Sequence, residues 1–373
     1  MIGIRQLIVA CFSLLLCGGA LASPGRPAYV LKYVNNNGYV DIFDTETDTV
    51  LQSVRFPAGH EYNNFVVDEK DGCYLARYRL SGSYLGNEIH YYDPDHQKIE
   101  RYLTLGDAFG PRYMVLTKDQ LIVEVNGNSK SRGKSGLLFI DRASRKIAKA
   151  LYLQRDNPFY LQANINDLFY DGDRYLLITS FYLDNDKPTK YGYGDVYVVD
   201  ITSKEIAKVI EVPRTYAPVD GVCKIKDKIY VAALSKGKRE LSGSAPFNTE
   251  LLVFSFDQGA LIKKIPISPH PFKLTYDRSV DKLYVQHLND RVLRNDVEVI
   301  NTLTDRVIGK LTIPGALMFA VVKPGKMYVT VGEMLWLKNP VKAGLLVIDT
   351  KTDRIIKRIP GVYKGISEKS FVE

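Results

Sequence analysis

Acid–base chemistry needs a group that titrates near neutrality beside one that can steady a developing negative charge, and this chain offers His60 and His270 with Arg112. Such a set would suit hydrolysis of a small polar substrate, for instance a sugar lactone. Close to them stand Asn64, Tyr113, Asp167, Asp220, Lys273 and Met318, at matching places in successive repeated segments. An amide, a phenol, two carboxylates and an ammonium drawn to one axis would also cradle a polar ligand without any catalysis, and no catalytic set is assigned. The five histidines show no two- or four-residue pairing and no cysteine partners of zinc type, so no metal is expected. His90 falls in a strand pattern and His96 in a tight turn. "GNSKSRGKSG" (127–136) has one residue too many between its glycines for a phosphate loop and joins strand to strand. No Gly-x-Ser-x-Gly elbow occurs in the mature chain. Nothing in the sequence is a cofactor attachment signal, and none is expected to bind.

The elements that must position these residues repeat. Hairpins such as "YVDIFDTETDTVLQSV" at 39, "VEVINTLTDRVIGKL" at 297 and "LLVIDTKTDRIIKRIP" at 345 recur seven times, roughly 46 to 59 residues apart. In "DTETD" and "DTKTD" a side-chain oxygen can accept from turn amides, so the reversal is local chemistry. Ahead of each lies a second strand pair, for example "GVCKIKDKIYVAAL" at 221 and "MFAVVKPGKMYVTV" at 318. Each unit is thus a four-stranded antiparallel meander with two apolar faces, stable only when neighbours cover both. Seven arranged radially form an all-β, seven-bladed β-propeller. The first unit, from Ala28, has only three strands, and "GISEKSFVE" at 365–373 is left over to supply the missing innermost strand and close the ring.

"KIYVAA", "KMYVTV" and "IPISPHPFKLTYDRSVDKLYVQH" (265–287) resemble the YVTN-type repeat of seven-bladed propellers, a group of exported and surface-layer-like proteins, and the likeness covers essentially the whole mature chain. The chain departs from the commonest repeat in lacking a clear "YVTN", the nearest being "YVTV" at 328. The resemblance implies an architecture and transfers no catalytic residue. Tryptophan-rich, Trp-Asp and kelch propellers fit less well: there is one tryptophan, Trp336, and no such signature.

Residues 1–22 read as a signal peptide cleaved after Ala22, from Arg5, the apolar run "LIVACFSLLLC" and the small residues of "ALA", which leaves 23–373 as one propeller domain. The expectation is a periplasmic or secreted protein with no transmembrane segment. Lipidation at Cys17 is the less favoured alternative, because Leu16 is large. Cys73 and Cys223 fall on distant units and are expected to be buried thiols. The net charge of +8 comes partly from lysines and arginines on outermost strands, where charge discourages edge pairing. Lys130, Arg132, Lys134, Lys236, Lys238, Arg239, Lys338 and Lys342 lie instead in connections between second and third strands, facing the same side as the channel rim. The longest of these connections, 183–195 and 235–250, offer Lys190, Tyr191, Tyr193, Lys238, Arg239 and Phe247 as partner contacts. The functional expectation is a monomeric binding or scaffold module for a protein, an acidic polysaccharide or a small polar ligand, with nucleic acid excluded by export. The alternatives are a lactonase-like hydrolase and a docking subunit of a redox complex.

Overall fold

A computed structural model describes residues 28–34, 37–56, 61–78, 86–96, 98–105, 109–127, 135–153, 160–184, 191–213, 215–236, 248–287, 294–314, 317–331, 342–361 and 363–368. Among them the regular structure is entirely β, in seven four-stranded antiparallel sheets. Blade 1 holds β1 (Ala28–Val34), β2 (Asn37–Asp44) and β3 (Thr49–Arg55), and blade 2 holds β4 (Glu61–Val67), β5 (Cys73–Tyr78), β6 (Glu88–Asp93) and β7 (Lys98–Thr104). Blade 3 comprises β8 (Phe109–Leu116), β9 (Gln120–Gly127), β10 (Gly136–Asp141) and β11 (Lys146–Tyr152); blade 4 comprises β12 (Tyr160–Tyr170), β13 (Tyr175–Asp184), β14 (Tyr191–Asp200) and β15 (Glu205–Glu211). Blade 5 runs through β16 (Tyr216–Ile225), β17 (Lys228–Lys236), β18 (Glu250–Ser255) and β19 (Leu261–Pro266), and blade 6 through β20 (Pro271–Asp277), β21 (Lys282–His287), β22 (Arg294–Asn301) and β23 (Arg306–Pro314). Blade 7 has β24 (Leu317–Lys323), β25 (Lys326–Val331), β26 (Gly344–Asp349) and β27 (Arg354–Pro360). The last strand, β28 (Tyr363–Glu368), pairs with β1 as the innermost strand of blade 1, with Tyr29 opposite Ser367. The ring therefore closes as the leftover tail requires; residues 369–373 lie outside the described set.

The turn chemistry read from the sequence is present in the turns between third and fourth strands. Asp44 accepts from the Glu46 amide at 2.8 Å, Asp141 from Ser144 at 2.7 Å, Asn301 from Thr304 at 3.0 Å and Asp349 from Lys351 at 2.8 Å. The Glu46 amide holds the Asp44 carboxyl below the usual range, the Ser144 hydroxyl and amide do so for Asp141, and the Thr352 amide for Asp349. The last turn residue has a positive φ in blade after blade: Asp48, Arg145, Lys204, Gly259, Asp305 and Asp353. Short polar side chains tolerate that left-handed conformation better than most, which helps explain Asp at three of these places.

Those three aspartates also tie neighbouring blades together. Tyr230 and Lys228 of β17 donate to Asp305 of the blade 6 turn at 2.5 and 2.8 Å, and Tyr284 and Lys282 of β21 donate to Asp353 of blade 7 at 2.9 and 2.7 Å. Tyr328 and Lys326 of β25 donate to Asp48 of blade 1 at 2.7 and 3.0 Å, sealing the ring where its ends meet. The Lys-x-Tyr of "KIYVAA" and "KMYVTV" is thus one half of an inter-blade clamp. Aliphatic faces pack behind it. Between blades 5 and 6, for instance, Tyr230, Leu251, Val253, Ile265, Leu283, Val285 and Ile300 form one buried cluster, and each such side chain stabilises by about 1.5–3 kcal/mol when fully buried.

Cys73 and Cys223, on blades 2 and 5, are buried free thiols. Burial, with nearby carboxylates, pushes both well above the ordinary thiol range.

Candidate functional site

Pairing along the innermost strand of every blade is broken by a β-bulge, and β12 carries a second irregularity nearer its start, between Tyr160 and Ala163. The shared bulge skips Asn63 in β4, residues 112–113 in β8, Asn166 in β12, Asp220 in β16, Phe272 in β20, residues 318–319 in β24 and Lys364 in β28. Bulges re-aim side chains and recur beside binding sites. Seven at one level make a collar around the axis, and the residues singled out from the sequence sit at or next to it.

Two corrections to the sequence reading follow. Asn64, Tyr113, Asp167, Asp220, Lys273 and Met318 lie inside the innermost strands, as their second to eighth residues, and not at the strand starts. The register also shifts: Asn64, Asp167 and Lys273 pair with Ala76, Thr179 and Gln286, and their counterpart in blade 5 is Gly221, opposite Ala232. Asp220, one residue earlier, is itself the bulged residue, and Met318 likewise falls in a bulge. Pattern matching cannot see an inserted residue that changes no hydrophobic alternation. Gly221 is required where it stands, since a Cβ there would meet the Phe272 carbonyl oxygen at 2.6 Å and the Lys273 Cα at 3.3 Å.

Four of the expected residues, from four blades, do come together. Lys273 Nζ of blade 6 donates to Asp167 Oδ1 of blade 4 at 2.6 Å and to the Asp220 carbonyl of blade 5 at 3.3 Å. It also lies 5.7 Å from the ring centre of Tyr113 of blade 3 and 5.4 Å from that of Phe272. Asp167 Oδ2 accepts from the Val222 amide at 3.4 Å. Burial pulls the Lys273 ammonium down, but Asp167, Tyr113 and Asp220 outweigh it and hold its pKa above the usual lysine value. The amine is therefore a fixed cation and no nucleophile at neutral pH. Asn64, nearby in the collar, is turned to its own strand and accepts from the Phe65 amide at 2.7 Å.

His270 sits on the approach to β20 with φ of 64°, its amide donating to the Asn248 carbonyl at 3.2 Å. His60, Lys190, Lys238, Arg239 and Phe247 lie outside the described residues, as do the signal segment, Cys17, Lys130, Arg132, Lys134, Trp336 and Lys338. Arg112 is described only in its backbone, within the β8 bulge. Tyr191 and Tyr193 belong to β14, with Tyr191 opposite Leu183, so the connection read as 183–195 is shorter than the sequence suggested; the alternation "YGYGDVYVV" simply continues the strand. His90 is buried, its Nδ1 3.0 Å from the Tyr62 hydroxyl, and exposed His96 pairs with Asp93 at 2.7 Å, both structural contacts. Among the described residues no group of three or more potential ligands could hold a metal ion.

A cluster the sequence reading missed lies behind β20. Ser268 Oγ donates to Glu298 Oε1 at 2.6 Å, His287 Nε2 is 3.2 Å from Glu298 Oε2, and His287 Nδ1 is 2.9 Å from the Pro269 carbonyl. Burial would raise the Glu298 carboxyl, but His287 and Ser268 hold it at about 2. Serine and histidine both address the carboxylate and not each other, so the arrangement activates no nucleophile. Its residues are 30 positions apart in sequence, with no local motif to announce them.

No protein-family model matches the chain, and no curated protein matches it in sequence. Solved structures do match in fold. A hypothetical selenium-binding protein from Sulfolobus tokodaii superposes with a TM-score of 0.66 at 10% identity, over 94% of this chain and 95% of that one. Dihydro-heme d1 dehydrogenase NirN gives 0.58 at 12% identity over 94% and 76%, and a prolyl endopeptidase 0.59 at 14% over 96% and 54%. At these identities the likeness is one of propeller architecture.

Proposed function

We propose that this chain is an exported binding module of the YVTN-type propeller class whose channel takes a small, neutral, polyhydroxylated ligand. The observation that carries the reading is the Lys273–Asp167 pair spanning the collar, with Asp220 and Tyr113 at its side. The Lys273 charge is already answered by Asp167, which disfavours a strongly anionic guest; carboxylate and carbonyl acceptors beside an ammonium donor suit hydroxyl groups. Tyr113 adds a ring face for an apolar sugar surface. Export rests on the signal-like residues 1–22, and Lys190, Lys238, Arg239 and Phe247, with Tyr191 and Tyr193 at the start of β14, are the proposed contacts for a larger partner. A hydrolytic role has less support, because the lysine is held as a cation and the Ser268–His287–Glu298 group lacks a serine–histidine bond.

The test is thermal unfolding and calorimetric titration of the purified chain against neutral sugars and polyols, sugar acids and sugar lactones. A neutral polyol is expected to raise Tm, and Asp167→Asn to abolish that rise while the unliganded protein still unfolds cooperatively. Binding of sugar acids alone, lactone turnover, or an undiminished response in the Asp167→Asn variant would overturn the reading.

A further inference from the structure

Each outermost strand also carries a bulge, one to four residues into the strand, and what occupies it divides the ring in two. In blades 5, 6, 7 and 1 the extra residue is a large aliphatic, Ile262, Ile308, Ile356 or Leu51, exposed by 51, 51, 50 and 57%. Blades 3 and 4 have alanine there, Ala148 and Ala207, and blade 2 has Tyr102, which is turned into the core. Val307, Ile355 and Val50 stand exposed beside three of the four aliphatics, and Leu303 projects from the blade 6 turn. An apolar band thus crosses four consecutive blades, and beyond it only Ile147 of blade 3 and Val209 of blade 4 are exposed large hydrophobics among the described residues. Exposed aliphatics gathered on one arc of a surface are the material of an interaction site.

The charges on those strands are one-sided. β19, β23, β27 and β3 carry Lys263, Lys264, Arg306, Lys310, Arg354, Lys357, Arg358 and Arg55 and no carboxylate. By contrast β7 and β15 include Glu100, Glu205 and Glu211, whereas β11 of blade 3, with Lys146 and Lys149, also has no carboxylate. Most acids near the band are tied down: Asp296 pairs with Lys310 at 2.8 Å, Asp48, Asp305 and Asp353 are answered by lysines in the clamps, and Asp44 and Asp349 are held by turn amides with their charge intact. Glu46 and Asp257 are the exposed exceptions.

A bulged edge is a poor template for another strand, because the ladder is broken where pairing would begin, which weighs against a second copy of the chain as the occupant. Aliphatic side chains interleaved with cations need no ladder to settle into an apolar layer beneath anionic headgroups. We propose that the outer wall centred on blades 6 and 7, flanked by blades 5 and 1, docks onto an anionic lipid surface. The bulges stand just past the turns, so the band follows the rim of the turn face. A tilted ring then lays blades 6 and 7 on a plane.

The test is co-sedimentation of the chain from Ser23, which contains all seven blades, with vesicles of phosphatidylcholine alone and of phosphatidylcholine with phosphatidylglycerol at 3:1. Binding is expected only to the anionic vesicles and should weaken at high salt. Ile308→Ser with Ile356→Ser, and separately Arg306→Glu with Arg354→Glu, should each lower the bound fraction about tenfold, while Ile147→Ser with Val209→Ser on blades 3 and 4 should not. All six positions are exposed, and unchanged thermal unfolding would confirm that each variant folds. No binding to anionic vesicles, equal loss in the blade 3 and 4 variant, or a band variant that instead converts a dimer to a monomer in analytical ultracentrifugation would each overturn the proposal.

Discussion

The junctions of blades 5 with 6, 6 with 7 and 7 with 1 meet the same need as the junction of blades 2 with 3, but with the charges reversed. In the first three a turn supplies a carboxylate and the neighbouring strand supplies an ammonium and a phenol, meeting at a largely buried Asp. In the fourth the turn supplies Arg142, whose guanidinium donates to both Glu69 oxygens at 2.9 Å and to the Lys118 carbonyl at 2.7 Å while lying over Tyr74. Arg145, in the left-handed place that Asp holds elsewhere, covers Tyr102. A carboxylate draws its donors to a point and seals the seam. The longer arginines span it and leave a cleft of about 480 Å³ walled by Tyr74, Tyr91 and Tyr102. A repeated seam builds the ring, and a lapse in the repeat opens its surface.

Removing β28 by ending the chain at Gly361 breaks the comparison most severely, since it leaves β1 paired with β2 alone and the collar open. Cooperative unfolding should be lost, or Tm should fall by on the order of 10 °C or more in calorimetry; an unchanged Tm would mean that the blade 7 to blade 1 clamp alone closes the ring. Next in size, Asp305→Ala strands the Lys228 ammonium and the Tyr230 hydroxyl in a largely buried seam and should cost about 2–4 kcal/mol in urea unfolding. Arg142→Ala, whose partner Glu69 is exposed enough to be hydrated, should cost about 1 kcal/mol by the same measurement. Equal losses would show that the polarity of the seam does not matter.

The smallest effect is on acid stability. Burial raises the Asp305 carboxyl, but Lys228, Tyr230 and Lys263 hold it below the usual aspartate value. Its folded pKa is thus lower than its unfolded value of about 3.9. The associated stability is present above that value and disappears as pH falls through the folded one. Asp305→Asn, measured against wild type from about pH 6 to about pH 3, should be the less stable protein at the upper end but lose less on acidification. Parallel curves would place the carboxylate's contribution elsewhere.

The blades were legible because a strand that buries one face must alternate, and the tail was legible because three strands cannot complete a four-stranded sheet. The turn aspartates could also be read, since their partners are two or three residues away. The clamp could not: Lys228 and Asp305 are 77 positions apart and Lys326 and Asp48 are 278 apart, so "KIY" looks like strand and "TLTD" like turn, with nothing local to join them. The channel residues were partly legible. Tyr113, Asp167, Asp220 and Lys273 converge, yet Asp220 was read one place out because the collar bulge lengthens a strand without disturbing its pattern. The outer bulges were hidden for the same reason, and with them the exposure of Ile262, Ile308, Ile356 and Leu51.

Every Lys-x-Tyr clamp reaches forward, from a strand of one blade to a turn of the next, so these seams have a head and a tail. A unit bearing both halves, as blades 6 and 7 do, can be duplicated or deleted and still mate correctly with what precedes and follows it. Blades 2 and 3 meet through a private fitting and are interchangeable with none of the others.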